Sequence, residues 1–466
     1  MTNALKYVRY SPKSRSDHKE VKPFLNVKIT LKYKNSLNFV QLKCNSVDLF
    51  ETGLWFIEII SKFFLYVGPP DNASSVTRTE LFQDIHMMVF IGVGFLMTFL
   101  RRYGYSAVSF NLLMGAFLIQ WGILCNGFYQ MESINDKIHL GIESLMGADV
   151  AAVTVLISMG AVLGKTTYLQ LIIMGIIEVA LYASNKYICV ELLKASDPGE
   201  SMFVHVFGAY FGLSVSFILD RSRKDSQEDE NGYEESSYIS DLFSMIGTIF
   251  LWTYWPSFNG GGLSGDEQHR AIINTYLSIG GSCVAAFITS GLVNTERRFA
   301  MAHVQNATLA GGVAVGTVAN LMIQPYGALL IGYAAGTLCV VGFHYIQPWV
   351  YQTLKIHDTC GINNLHGMPA IFAAILGVVM PTLASESASR EPSEQALYQF
   401  IALVTTFLIA LVSGNITGFV IKCSIFGYIP RKHRFDDSLQ WIVADLDHKN
   451  NIKPIINTLS SPNSNI

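Results

Sequence analysis

Charge is scarce in this chain: only 14% of its 466 residues are Asp, Glu, Lys or Arg, against about 25% in soluble domains. A soluble protein of this length would divide into about three domains, and here too few charges are present to clothe them in water. Paired cysteines are missing as well. The seven, Cys44, Cys125, Cys189, Cys283, Cys339, Cys360 and Cys423, stand singly with no C-x2-C spacing, which argues against a zinc site or a disulfide framework. Five or six of them read as small apolar helix residues. The N-terminus shows no cleavable signal pattern, so insertion into a bilayer is expected to rely on the first spanning helix. There is no HExxH, no G-x-S-x-G and no Walker loop, the motifs that would support an enzyme, and no TVGYG filter of a cation channel. Neither a metal, a cofactor nor nucleic acid is expected as a partner.

What the chain has instead is apolar runs. Half of its residues are hydrophobic, and they fall in stretches near 20 residues, the length a hydrocarbon core of about 30 Å demands of a helix. Eleven segments have this character: 82–100, 108–128, 145–163, 169–190, 201–219, 239–257, 272–292, 300–322, 327–341, 362–380 and 400–421. A further one, 49–67, holds Glu51, Glu58 and Lys62; each charge near mid-span costs about 2.5–3.5 kcal/mol, so it is either a first span or an amphipathic helix in the interface. The fold class is an all-α polytopic membrane protein, with a basic tail over 1–47, a transmembrane domain over 48–428 and a C-terminal tail over 429–466.

Orientation follows from Lys and Arg in the short loops, which are retained in the cytoplasm. One face carries Arg101, Arg102, Lys165, Arg221, Arg223, Lys224, Arg297, Arg298 and Lys355; the other carries Lys137, Lys186, Lys194, Arg270 and Arg390. The richer face also receives Lys422, Arg431, Lys432 and Arg434, so the C-terminal tail is expected in the cytoplasm, with loop 220–237 on the same side and loop 381–397 outside. If 49–67 spans, the basic tail is cytoplasmic too, and Asn72-Ala-Ser becomes an exposed glycosylation acceptor. Asn306-Ala-Thr and Asn415-Ile-Thr lie within spans and are unavailable.

One spacing occurs twice. Asp197 precedes His205 by eight residues, and Asp358 precedes His366 by eight; each aspartate stands in the loop before a span and each histidine within it. The second histidine helix lies five spans beyond the first. Five is odd, so the copies run in opposite directions, the mark of two five-helix inverted repeats. At a 1.5 Å rise per residue, each histidine sits about 12 Å in from its own face, so the two can meet near the midplane. Burial disfavours charged imidazole, and two neutral rings offer N–H donors and acceptor nitrogens to a small solute. A hydrated metal cation would find no oxygen shell there. Asp197-Pro198-x-Glu200 also has the form of an N-cap, a proline at the first helical position and a capping glutamate, and Asp358-Thr359 could cap likewise. Capping and a direct role at the pore entrance remain two readings of these carboxylates. Gly208-x-x-x-Gly212, Gly312-x-x-x-Gly316 and Gly332-x-x-x-Gly336 permit close helix approach.

FQDIHMMVFIGVGFLMTFLRRYGYS (82–106), FVHVFGAYFGL (203–213), SDLFSMIGTIFLWTYWPSFN (240–259), HVQNATLAGGVAVGT (303–317) and DTCGINNLHGMP (358–369) together closely resemble the Rhesus glycoproteins of the ammonium transporter superfamily, over about residues 80–440. The resemblance implies a plasma-membrane homotrimer whose protomers each enclose a narrow hydrophobic pore. In such a pore ammonium is deprotonated at a vestibule, ammonia passes twin histidines, and a proton is regained beyond them; carbon dioxide is a further solute to consider. His205 and His366 match the twins, Asp197 and Asp358 the paired acidic residues, and Phe258 one gating phenylalanine. Two departures stand out. Val150 follows Ala148-Asp149 where the family has its other gating phenylalanine, and the first 75 residues do not match. A non-transporting scaffold of this fold would have lost the histidine pair; both are present here.

Overall fold

The computed structural model describes residues 31–33, 36–38, 58, 61–62, 65–70, 76–131, 137–221, 233–383 and 391–443. Most of the 49–67 segment, Asn72, the middle of loop 220–237, residues 384–390 and residues 444–466 lie outside them. The chain divides into two units, Met1–Leu54 and Trp55–Ile466. In the first, β1 (Leu31–Tyr33) pairs antiparallel with β2 (Ser36–Asn38).

The second unit is helical. Its long elements are α1 (Arg78–Phe99), α2 (Gly104–Gln130), α3 (Ile142–Val162), α4 (Tyr168–Leu192), α5 (Ser201–Asp220), α6 (Tyr238–Gly260), α7 (Gly265–Val293), α8 in three pieces (Met301–Ala307, Ala310–Val315 and Gly316–Val318), α9 (Pro325–Leu354), α10 (Asn363–Met380) and α11 (Pro392–Ile421). Strands β3 (Val67–Pro70) and β4 (Ile138–Leu140) pair in parallel at one face. Among the described residues nine helices are long and apolar enough to cross a membrane; α6 and the broken α8 are not in that set. This is a multi-pass membrane protein. Helix starts follow the local chemistry: Thr167 and Gln170 form a reciprocal capping box at α4, and Pro325 and Pro392 open α9 and α11, where a missing N–H costs nothing.

The expectation of one continuous span over 300–322 is corrected by the break in α8 after Ala307. Its freed backbone groups are taken up by neighbours. Ser282 Oγ donates to Ala307 O (2.6 Å) and accepts from Gly311 N–H (3.0 Å), Ser278 Oγ donates to Gly311 O (2.8 Å), and Asn259 Nδ2 donates to Gly312 O (3.0 Å). A broken helix survives in lipid only where such groups re-satisfy it, and no periodicity reveals serines arriving from another helix.

Small residues set how closely the helices approach. A Cβ on Gly212 would lie 2.6 Å from Ser158 Cα, and one on Gly208 2.6 Å from Thr154 O, so α5 rests backbone to backbone on α3. Gly336 meets Ser282 O of α7 in the same way, at 2.5 Å. π turns interrupt α1 (Met88–Val93) and α9 (Gly342–Ile346), end α4 (Ile188–Leu192), and open both histidine helices, α5 (Ser201–Val206) and α10 (Asn363–Gly367). Such wide turns concentrate at functional sites.

Candidate functional site: a cavity closed by two histidines

Each histidine helix is started by its aspartate, though not in the register that the Asp-Pro-x-Glu pattern suggests. α5 begins at Ser201 rather than at Pro198, because Glu200 adopts a left-handed backbone (φ 57°) and stands immediately before the helix. From the loop, Asp197 accepts N–H groups of Ser201 (3.1 Å), Met202 (2.7 Å) and Phe203 (3.1 Å), together with the Thr317 hydroxyl (2.6 Å). Glu200 does not reach back to the helix start; its carboxylate pairs with Lys186 of α4 at 2.5 Å. Asp358 repeats the motif at α10, accepting from Ile362 and Asn363, each at 2.9 Å. Burial pushes both carboxyls up, Asp197 to about 7 with the neighbouring Glu200 charge acting in the same direction, while these donors oppose the shift.

The two rings so positioned meet. His205 Nδ1 lies 3.0 Å from His366 Nδ1, with ring centroids 5.0 Å apart and planes 6° from parallel. Trp255 of α6 stacks beyond His205 at 5.8 Å and 20°, and Phe258 lies at 6.0 Å. Trp255 itself rests on α8 where Gly312 leaves room, a Cβ there falling 2.6 Å from the indole nitrogen. His205 is 2% exposed, and its Nε2 has no hydrogen-bond partner among the described residues.

A cavity of about 190 Å³ runs from the histidines and Phe258 toward the face rich in Lys and Arg, where Phe99 and Cys360 border it. Val153, Leu156 and Phe343 make most of its wall apolar, with Gln305 and Asn306 among its few polar groups. Val150, a turn before Val153, is buried but is not among the described residues lining this cavity. No cluster of ligands able to hold a metal occurs among the described residues.

Some polar partners had no sequence signal. His86 of α1 reaches both oxygens of Asp149 (3.2 and 3.1 Å), a carboxylate with no solvent exposure. Ser257, beside Phe258, donates to Asp84 at 2.6 Å. At the opposite end the fully buried ammonium of Lys165 contacts Ser216 Oγ (2.8 Å), His357 O (2.9 Å) and His357 Nδ1 (3.1 Å), while His357 Nε2 faces Glu234 at 2.9 Å. Helical spacing shows which residues share a face; it does not show which face on a distant helix they meet.

Multi-pass helices enclosing an apolar cavity define a membrane protein of the transporter or channel class. The chain belongs to the ammonium transporter family, whose model, Ammonium Transporter Family, matches residues 49–432, which corrects the expectation that the first 75 residues fall outside the likeness. It is 47% identical over 383 residues to ammonium transporter Rh type B of Danio rerio, covering 78% of this chain and 83% of that one. Ammonium transporter Rh type C of Xenopus tropicalis is 44% identical over 436 residues, covering 86% and 92%. Among solved structures, Rh50 of Nitrosomonas europaea, described with the mechanism of conduction by the Rhesus protein family of channels, superposes with a TM-score of 0.70 at 32% identity, over 81% of this chain and 95% of that one. The relatives are ammonium transporters and channels, not enzymes.

Proposed function

We propose that this protein conducts ammonia through the cavity shared by His205 and His366, ammonium giving up its proton on entry and regaining one on exit. The 3.0 Å contact between the two Nδ1 atoms carries this reading. It requires one N–H and one lone pair, so two neutral rings are left with one Nε2 lone pair and one Nε2–H between them. Ammonia, with three donors and a lone pair, can use both. Ammonium has no lone pair, and its charge finds little compensation in an apolar wall; it must leave its proton outside.

In this reading Phe258 closes the outer end over His205, and Val150 in place of a second aromatic residue leaves that end wider. Asp197 and Asp358 hold the pore helices and favour cations at the two mouths. Membership of the Rh branch supports a homotrimer in the plasma membrane, glycosylation at Asn72 where that loop faces outward, and carbon dioxide as a second solute to test.

The test is flux in proteoliposomes, comparing ammonia with methylammonium across a pH series for the native chain, His205→Ala and His366→Ala. Each variant should lose most of its conduction or its selectivity. Native-like flux in both alanine variants would remove the pore assignment.

A further inference from the structure

We propose that a second cavity, between α5, α9, α10 and α11, binds the headgroup of a zwitterionic phospholipid bearing a primary ammonium, the chemistry of phosphatidylethanolamine. The inference goes beyond the transport reading and does not depend on it. The cavity has a volume of about 670 Å³ and, among the described residues, shares no lining residue with the histidine cavity. It is also far larger than ammonium needs.

Its position is that of a lipid headgroup. Trp349 and Tyr351, 58% and 44% exposed near the end of α9, mark the interface depth favoured by amphipathic rings. On α11, Val412 and Ile416 lie outward beside the lining residues Leu411 and Asn415 and are equally exposed, as a face against acyl chains would be. The end of α9 belongs to the face rich in Lys and Arg, so the lipid lies in the leaflet on that side.

Charge complementarity selects the headgroup. Lys355 and Asp358 both line the cavity, with Asn363 and Asn415 contributing amides and Phe217 and Leu411 apolar surface. Lys355, exposed at the end of α9 with a left-handed backbone (φ 55°), supplies a cation for a phosphate. Each Asp358 oxygen accepts a single N–H, and a carboxylate has about four acceptor positions, so capacity remains for the donors of a primary ammonium. Choline offers the carboxylate no N–H. A glycerol headgroup can place its phosphate on Lys355 and its hydroxyls on the carboxylate, but it brings no positive charge to set against Asp358. Ethanolamine satisfies both charged walls.

Full-length protein, delipidated in detergent, is titrated with phosphatidylethanolamine, phosphatidylcholine and phosphatidylglycerol, and bound lipid is counted by native mass spectrometry. Phosphatidylethanolamine should bind at least about tenfold more tightly than phosphatidylcholine, the scale of one hydrogen bond to a charged group. Lys355→Ala and Lys355→Glu should each weaken binding of both zwitterionic lipids several-fold, since both carry the phosphate, with lipid-free unfolding temperatures close to that of the native chain because the side chain is exposed. Equal affinity for the two zwitterionic lipids in the native protein, tightest binding of phosphatidylglycerol, or undiminished binding of both zwitterionic lipids by the folded Lys355 variants would each overturn the assignment. The readout is binding alone, so a protein that failed to conduct ammonia would leave the result standing.

Discussion

Phe435 occupies the space that a side chain on Gly164 would need. Gly164 turns the chain between α3 and α4 with φ +76°, a Cβ placed there runs into the phenylalanine ring, and Phe435 N–H donates to Gly164 O at 3.1 Å. The C-terminal segment around it is fastened at further points. Asp437 accepts the N–H groups of Tyr105 and Ser106 (2.8 and 2.9 Å), Trp441 Nε1 donates to Ser106 Oγ (2.8 Å), and Arg434 pairs with Asp220 at 2.9 Å.

Gly164→Ala should therefore loosen this segment. The left-handed backbone alone costs an L side chain about 1–2 kcal/mol, and the ring has to move as well. Limited trypsin digestion at Arg431, Lys432 and Arg434 measures it: these sites should be cut several-fold faster in the variant, with the helical domain intact. Equal cutting rates would mean that the segment is held without the Phe435 contact.

The His86–Asp149 pair predicts an asymmetry. Removing His86 strands a carboxylate that has no exposure, a loss of about 1–3 kcal/mol or more, whereas Asp149→Asn leaves a neutral group beside a half-exposed imidazole. In thermal unfolding, His86→Ala should be the more damaging single change, and adding Asp149→Asn to it should recover part of the loss. A double variant whose losses simply add would show that the pair is not coupled.

Where α5 crosses α3 there is no room for a side chain. Gly212→Leu would drive a side chain into Ser158, whose backbone lies 2.6–3.1 Å from the first added carbon. Overpacking of a filled core costs about 1–3 kcal/mol, and here the strain falls on the helix that carries His205. Lower unfolding temperature together with reduced ammonia flux is the expected result; Gly212→Ala should show the same effects more mildly.

At the outer end, size discrimination should follow ring count. Val150→Phe should lower methylammonium flux more than ammonia flux, and Phe258→Ala, which removes a ring 6.0 Å from His205, should raise the methylammonium to ammonia ratio. The ratio, measured in one set of liposomes, is insensitive to how much protein each preparation contains. No change in either variant would place the constriction elsewhere.

The membrane class was legible in the sequence because solvent imposes it directly: lipid requires runs near 20 apolar residues, and 14% charge cannot satisfy water. The two Asp-to-His spacings were legible for the same kind of reason, since an eight-residue offset is a local property of chain and helix. The contacts that shape the site are not local. His205 and His366 are 161 residues apart, Lys165 and His357 are 192 apart, and His86 and Asp149 are 63 apart. Helical periodicity orients a side chain on its own helix and is silent about the partner.

The sequence by itself determined that this chain is a bundle of apolar helices carrying two matched histidines, because hydropathy and spacing are written along one strand of chain. Only the tertiary structure decided that α8 breaks and is re-satisfied by serines of α7, that α5 starts at Ser201 rather than at Pro198, and that the indole of Trp255 stacks on His205. Each of these depends on which helices pack together, and packing is a property of three dimensions.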